Sequence, residues 1–135
     1  MVFMTRFLGP DLKARIGANQ HSAVINMCSY YSESPDKRLP IYSSAKSFAD
    51  VWSQNLWYEN QEMDILTVKN MPIAGKHNPL GVPASEVVDG VMLDLGHERI
   101  SYGASKHSLF RYWYLFKQNP AWFNRSTWTG KLAGL

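Results

Sequence analysis

Cysteine is nearly absent: Cys28 stands alone among 135 residues. No internal disulfide can form, which fits a reducing intracellular compartment. No apolar run approaches the roughly 20 residues that a spanning helix needs. The start, MVFMTRFLGPDL, has neither a long apolar stretch nor the small-residue cleavage site of a secretory signal. Repeats and low-complexity tracts are missing too. Charge is sparse, with 14 Lys and Arg against 11 Asp and Glu and a net charge of +3. No basic run exceeds Lys37-Arg38, so nucleic-acid binding finds little support. His21, His77, His97 and His107 lack metal-ligand spacing, and Cys28 has no second cysteine to join it. Asp94, His97 and Glu98 sit close together, but a helix end followed by a turn accounts for them.

What is present describes one folded domain with one core, at 45% apolar and 19% charged residues. Phe3, Phe7, Leu8, Leu12 and Ile16 recur at helical spacing over 2–16, with Gly17 as C-cap and Pro10 predicting a kink or restart. The compact apolar run AVINMC at 23–28 predicts a strand buried on both faces. Residues 32–40 are polar and proline-containing, hence loop. Over 41–59 the stripe Ala45, Phe48, Ala49, Trp52, Leu56 predicts a helix packed through those residues. DILTV at 64–68 reads as a second buried strand. A Gly/Pro/Asn-rich loop spans 70–83, long enough to cover a substrate. Val87, Val88, Val91, Met92 and Leu95 repeat as a helix with Gly96 as its cap. A short strand over 99–102 and an aromatic helix over 107–118 follow, then a Trp-containing tail. Strands alternating with helices predict an α/β fold with a parallel sheet of about three strands.

The stretch from Ser29 to Lys46, SYYSESPDKRLPIYSSAK, carries the chemistry. Tyr42 and Lys46 at a helix start lie one turn apart on one face. A nearby ammonium favours the phenolate and lowers a phenol pKa that is ordinarily about 10. Such a tyrosine can exchange a proton with an alcohol or carbonyl, and a serine facing the same point can hydrogen-bond the reacting oxygen. The bland reading is a strand-end serine and a solvated helix start. A second Tyr-x-x-x-Lys, Tyr102 to Lys106, is set aside because Asp89, inside a helix, stands thirteen residues upstream where a strand-end serine is needed.

With INMCS at 25–29 and Tyr42-Ser-Ser-Ala-Lys46 in this strand-loop-helix setting, the chain resembles the catalytic segment of the short-chain dehydrogenase/reductase family. SFADVWSQNLWYE resembles the helix after the motif and DILTV the next strand. VPASEVVDGVMLDLG with its Tyr-Gly strand resembles the branch of 17-beta-hydroxysteroid dehydrogenases and very-long-chain 3-oxoacyl-CoA reductases. The resemblance implies the C-terminal half of a Rossmann-like, doubly wound parallel sheet, so that residues 1–135 would form a partial domain. It further implies an NADP- or NAD-dependent oxidoreductase acting on a ketone such as a 3-oxoacyl-CoA or a steroid. Ser29, Tyr42 and Lys46 would be catalytic, and Tyr42, Lys46 and Ile73 would contact the cofactor. The cytoplasm or the membrane face of the endoplasmic reticulum is the compartment it suggests.

Two departures temper what the resemblance implies. Gly9, Gly17, Gly75, Gly81 and Gly90 do not follow the spacing of the glycine-rich turn that receives a dinucleotide's pyrophosphate. After the second strand the family carries Pro-Gly and then a threonine, where this chain has Asn70, Met71 and Gly75. The competing expectations are a non-catalytic half-domain serving as an interaction subunit, and a truncated gene product. Expected partners are a small ketone or alcohol, a second copy docked through the helices at 2–16 and 41–59, or a chain supplying the other half. The aromatic ring around helix 107–118 suits a core or a subunit interface. Alternatively, since Tyr and Trp favour bilayer interfaces, it suits shallow membrane contact over 107–128.

Overall fold

The computed structural model describes residues 1–17, 19–75 and 81–118. The middle of the 70–83 loop with His77, and the expected Trp-containing tail after Gln118, lie outside these. In chain order the elements are α1 (Val2–Ala14), β1 (Ala23–Met27), a short 3-10 turn (Tyr30–Ser32), α2 (Pro40–Glu59), β2 (Asp64–Val68), α3 (Ala84–Asp94), β3 (Ile100–Ser101) and α4 (Ser105–Gln118). The three strands pair in parallel in the order β1-β2-β3. The α/β class expected from alternating strands and helices is what forms. The sheet is central because β2, in the middle, is buried along Ile65–Val68. Leu66 and Val68 pack with Val82, Val87, Val91 and Ala104 under α3, while Ile65 joins Leu56 and Met63 on the other side.

Four expectations are corrected. The helix at the start ends at Ala14 with Arg15 as its cap in right-handed geometry, not at Gly17, and it runs through Pro10 as one element. Among the described residues β1 lies at the edge of the sheet, not buried on both faces: Ile25 is 40% and Met27 53% exposed. An apolar run fits both a central strand and an unpaired edge, and composition cannot separate them. In α2 the expected stripe is rotated off the core, with Ala45 and Phe48 exposed and only Leu56 of the five buried. Ser43, Asp50 and Ser53 are buried in their place. Finally, the aromatic helix is not a core element of this chain, because Leu109, Phe110, Tyr112, Trp113 and Phe116 are all more than half exposed.

The polar face of α2 is tolerated because its groups are bonded. Ser53 Oγ accepts from Asn26 Nδ2 at 2.9 Å and from Thr67 Oγ1 at 2.7 Å, joining α2 to β1 and β2. Ser47 donates to the Ser32 carbonyl at 2.9 Å, and Ser32 donates to Asp50 at 3.1 Å. Asp50 also meets Lys69 Nζ at 2.7 Å, just beyond the end of β2. Lys69, 2% exposed, bonds Glu33 at 2.8 Å as well. Glu33 in turn accepts from Arg111 Nε of α4 at 2.9 Å and from the Tyr102 phenol at 3.1 Å. Five segments are thereby tied together at the carboxyl ends of the strands. Burial pushes the Glu33 carboxyl up, but hydrogen bonds from Arg111 and Lys69 outweigh it and hold the group below its ordinary 4.5.

Close approach of α3 to the turn before α4 depends on two glycines. Gly103 has φ +72°, and a Cβ on Gly90 would lie 1.8 Å from the Gly103 carbonyl oxygen. Gly90→Ala is expected to destabilise the fold by about 1–3 kcal/mol, since backbone must move to admit the methyl; urea denaturation checks it. Because the folded Glu33 pKa is depressed, its stabilisation is present above the unfolded value and is lost as pH falls through the folded one. The melting temperature should therefore drop below about pH 4.5, and Glu33→Gln should shallow that slope in thermal melts.

Candidate active site

Parallel strands leave their carboxyl ends at one edge of the sheet, the usual place for a ligand crevice in open α/β folds. Three backbone bonds align those ends here. Cys28 N donates to the Val68 carbonyl at 2.8 Å, Lys69 N to Ser101 at 2.7 Å and Tyr30 N to Asn70 at 3.2 Å. A cleft of about 340 Å³ opens beside them, lined by Ser29, Tyr31, Tyr42 and the segment Asn70–Ile73. Three of the four residues singled out from sequence, Ser29, Tyr42 and Ile73, share this one cleft.

Ser29 comes directly after β1 and the one following residue, and its Oγ caps the 3-10 turn by accepting from Tyr31 N at 3.3 Å. The hydroxyl keeps its own proton for a further bond. It is 7% exposed, so that bond would form away from bulk water. Tyr42 lies in the first turn of α2, which begins with Pro40 at its favoured position. Its ring meets Tyr31 edge-on at 6.0 Å between centroids, and 43% exposure leaves the phenol accessible.

Lys46, one turn on, places its Nζ 5.7 Å from the Tyr42 ring centroid. The same ammonium donates to the Met27 carbonyl at 3.0 Å. That bond anchors the lysine on the exposed edge of β1 and leaves two N–H donors for a ligand. Expected neighbours in sequence are thus neighbours in space. Ile73 belongs to the far wall, where it bridges to Val82, and Ala74 N donates to the Val82 carbonyl at 2.7 Å.

The second Tyr-x-x-x-Lys has different surroundings. The Tyr102 phenol donates to Glu33, and burial, then the Glu33 charge, push its pKa well above the ordinary 10.0. Lys106 pairs instead with Glu86 at 3.4 Å. That tyrosine is poorly suited to trading a proton near neutral pH. Cys28, beside the site, is buried, and burial raises its thiol pKa above 9.0, so it is not a reactive thiolate. Among the described residues no cluster of His, Cys, Asp and Glu could hold a metal ion. A separate depression of about 280 Å³ lies at the amino ends of β2 and β3, where Arg99 stacks on Trp57 at 4.5 Å. Sequence reading missed Glu33, Asp50 and Lys69. An ionisable residue ending a buried strand, as Lys69 does after DILTV, was the available signal.

Neither a protein-family model nor a curated protein matches the chain. Solved structures do. A short-chain dehydrogenase from Burkholderia cenocepacia J2315, crystallised with NADP, superposes with a TM-score of 0.67 at 20% identity, over 97% of this chain and 53% of that one. The bulky-bulky ketone specific alcohol dehydrogenase from Comamonas testosteroni gives a TM-score of 0.61 at 16% identity, over 90% and 49%. The chain spans about half the length of these structures, and over that span its fold is similar to theirs.

Proposed function

We propose that this chain carries the proton-transfer half of an NAD(P)(H)-dependent oxidoreductase of the short-chain dehydrogenase type. The observation behind the reading is that Ser29 and Tyr42 line one cleft at the strand ends, with the Lys46 ammonium 5.7 Å from the Tyr42 ring. The likeness to an NADP-bound short-chain dehydrogenase agrees with it. A bound nicotinamide would supply the hydride that reduces a carbonyl carbon. In that reduction the Tyr42 phenol gives its proton to the carbonyl oxygen as negative charge develops there, and Ser29 donates a hydrogen bond that holds this oxygen in place. The Lys46 ammonium stabilises the phenolate left behind, and its two remaining donors suit a ribose hydroxyl. The Asn70–Ile73 wall would lie against the nicotinamide. It offers backbone groups and the apolar Ile73 side chain, without the hydroxyl that the resembled family places there. A 3-oxoacyl thioester or steroid ketone is the substrate class we favour, by resemblance to that branch.

The residues present fit the nicotinamide end of a cofactor and not its pyrophosphate. Among the described residues no helix begins with a glycine-rich turn. A partner chain supplying that turn would reach the site along β1, whose Ile25 and Met27 are exposed at the edge of the sheet. The same edge favours a second reading, a non-catalytic interaction subunit. Helix α1 buries none of its residues, and Phe3, Phe7, Ile41 and Phe48 are all exposed, which also suits pairing of two copies through α1 and α2.

Two measurements separate these readings. Titration calorimetry of the purified chain with NADPH is expected to show no binding, and tight binding would mean that no second chain is needed. Mixing with a polypeptide bearing a glycine-rich strand-turn-helix should restore NADPH-dependent ketone reduction. Tyr42→Phe should then lower kcat by about 100-fold or more; unchanged turnover would remove Tyr42 from the mechanism.

A further inference from the structure

The hydroxyl pair that joins α2 to β2 has one hydrogen to spare. Thr67 Oγ1 and Ser53 Oγ lie 2.7 Å apart, and Ser53 Oγ also accepts from Asn26 Nδ2. One bond between two hydroxyls uses one of their two hydrogens, whichever of them donates it. No hydrogen bond among the described residues takes up the other, although Ser53 is 0% and Thr67 1% exposed. A buried donor left in this state costs about 1–3 kcal/mol. Both residues line a small cavity of about 130 Å³ formed by α2, β2 and β3, whose walls also include Ile65, Ile100, Trp57 and Arg99.

Arg99 supplies the charge of this cavity. Its guanidinium lies over the Trp57 ring at 4.5 Å. Stacking of that kind occupies the face of the planar group and leaves the N–H donors at its edge for a ligand. The ion pairs among the described residues engage Lys13, Arg38, Lys69, Lys106 and Arg111, but not Arg99. No Asp or Glu lines the cavity. Asp64 and Glu98 line the neighbouring depression, which shares Trp57, Ile65 and Arg99 with it. A second negative charge reaching that way would meet two carboxylates, so the two hollows together suit one charge and oppose two.

We propose that this cavity binds a small monocarboxylate. The carboxylate accepts two N–H donors from the Arg99 fork together with the spare hydroxyl hydrogen of the Ser53–Thr67 pair. A short alkyl tail fills the remaining space against Ile65 and Ile100. Volume sets the size: a cavity of about 150 Å³ holds benzene, so the ligand has about six non-hydrogen atoms. Charge sets the head group, because a neutral alcohol leaves the guanidinium unmatched and a phosphate brings more charge than Asp64 and Glu98 tolerate. The cavity has no lining residue in common with the Tyr42 cleft, so the proposal stands apart from the reaction assigned there.

The test is titration of the isotope-labelled full chain with sodium butyrate at constant ionic strength, followed by proton–nitrogen correlation spectra. A saturable shift of the Trp57 indole N–H and the Arg99 Nε–H is the expected result, with butanol and inorganic phosphate producing none. Arg99→Gln should weaken the affinity by about tenfold or more while the chain still melts cooperatively, since Arg99 is exposed and makes no ion pair among the described residues. If that variant fails to fold, the comparison of butyrate with butanol on the native chain decides the matter. Absence of a saturable shift at Trp57 and Arg99, equal binding of butanol or phosphate, or full affinity in the folded variant would overturn the proposal.

Discussion

Lys69 is the group on which the arrangement at the strand ends depends. Its ammonium is buried, and a buried unpaired charge costs several kcal/mol, so both carboxylates that meet it must be held in place. Asp50 comes from α2, which also carries Tyr42 and Lys46. Glu33 comes from the turn that Ser29 caps. The residue after Lys69 begins the far wall of the cleft. One cation therefore fixes the spacing between the three parts that make the site, and through Glu33 and Arg111 it also positions α4. Replacing one member leaves the other charges buried without compensation, which makes the group cooperative.

That network explains the inverted character of α2. A helix whose inner face carries Ser43, Ser47, Asp50 and Ser53 cannot be placed on the core by hydrophobicity alone. Hydrogen bonds to Asn26, Ser32 and Thr67, together with the Lys69 ion pair, place it there. Ala45 and Phe48 of the stripe that periodicity assigns to the core are then left on the outside, as are Phe3 and Phe7 of α1 and the apolar side chains of α4. Three helices showing apolar residues to solvent, beside an edge strand that does the same, describe a molecule with several surfaces suited to association.

The alternation of strands and helices, the strand DILTV, the α3 repeat and the Gly96 cap were legible in the sequence because local pattern governs each. Gly96 has φ +80°, which follows from a helix that must stop there. The grouping of Ser29, Tyr42 and Lys46 was legible as spacing, since a helix fixes the Tyr42–Lys46 offset and a strand end fixes Ser29. Less could be read where two environments share one composition. AVINMC suits a central strand as well as an edge, and the α2 stripe is amphipathic with either face inward.

Local pattern settles the α/β class, the parallel order implied by alternation, and the spacing that brings Ser29, Tyr42 and Lys46 together. These rest on interactions within a few residues along the chain. Only the tertiary contacts settle which face of α2 turns inward, how far Ile25 and Met27 of β1 are exposed, and that Glu33, Asp50 and Lys69 meet. Those outcomes depend on charges and hydroxyls distant in sequence finding each other in a site poor in water. No local pattern encodes such pairing, because its energy exists only once all the members have been brought together.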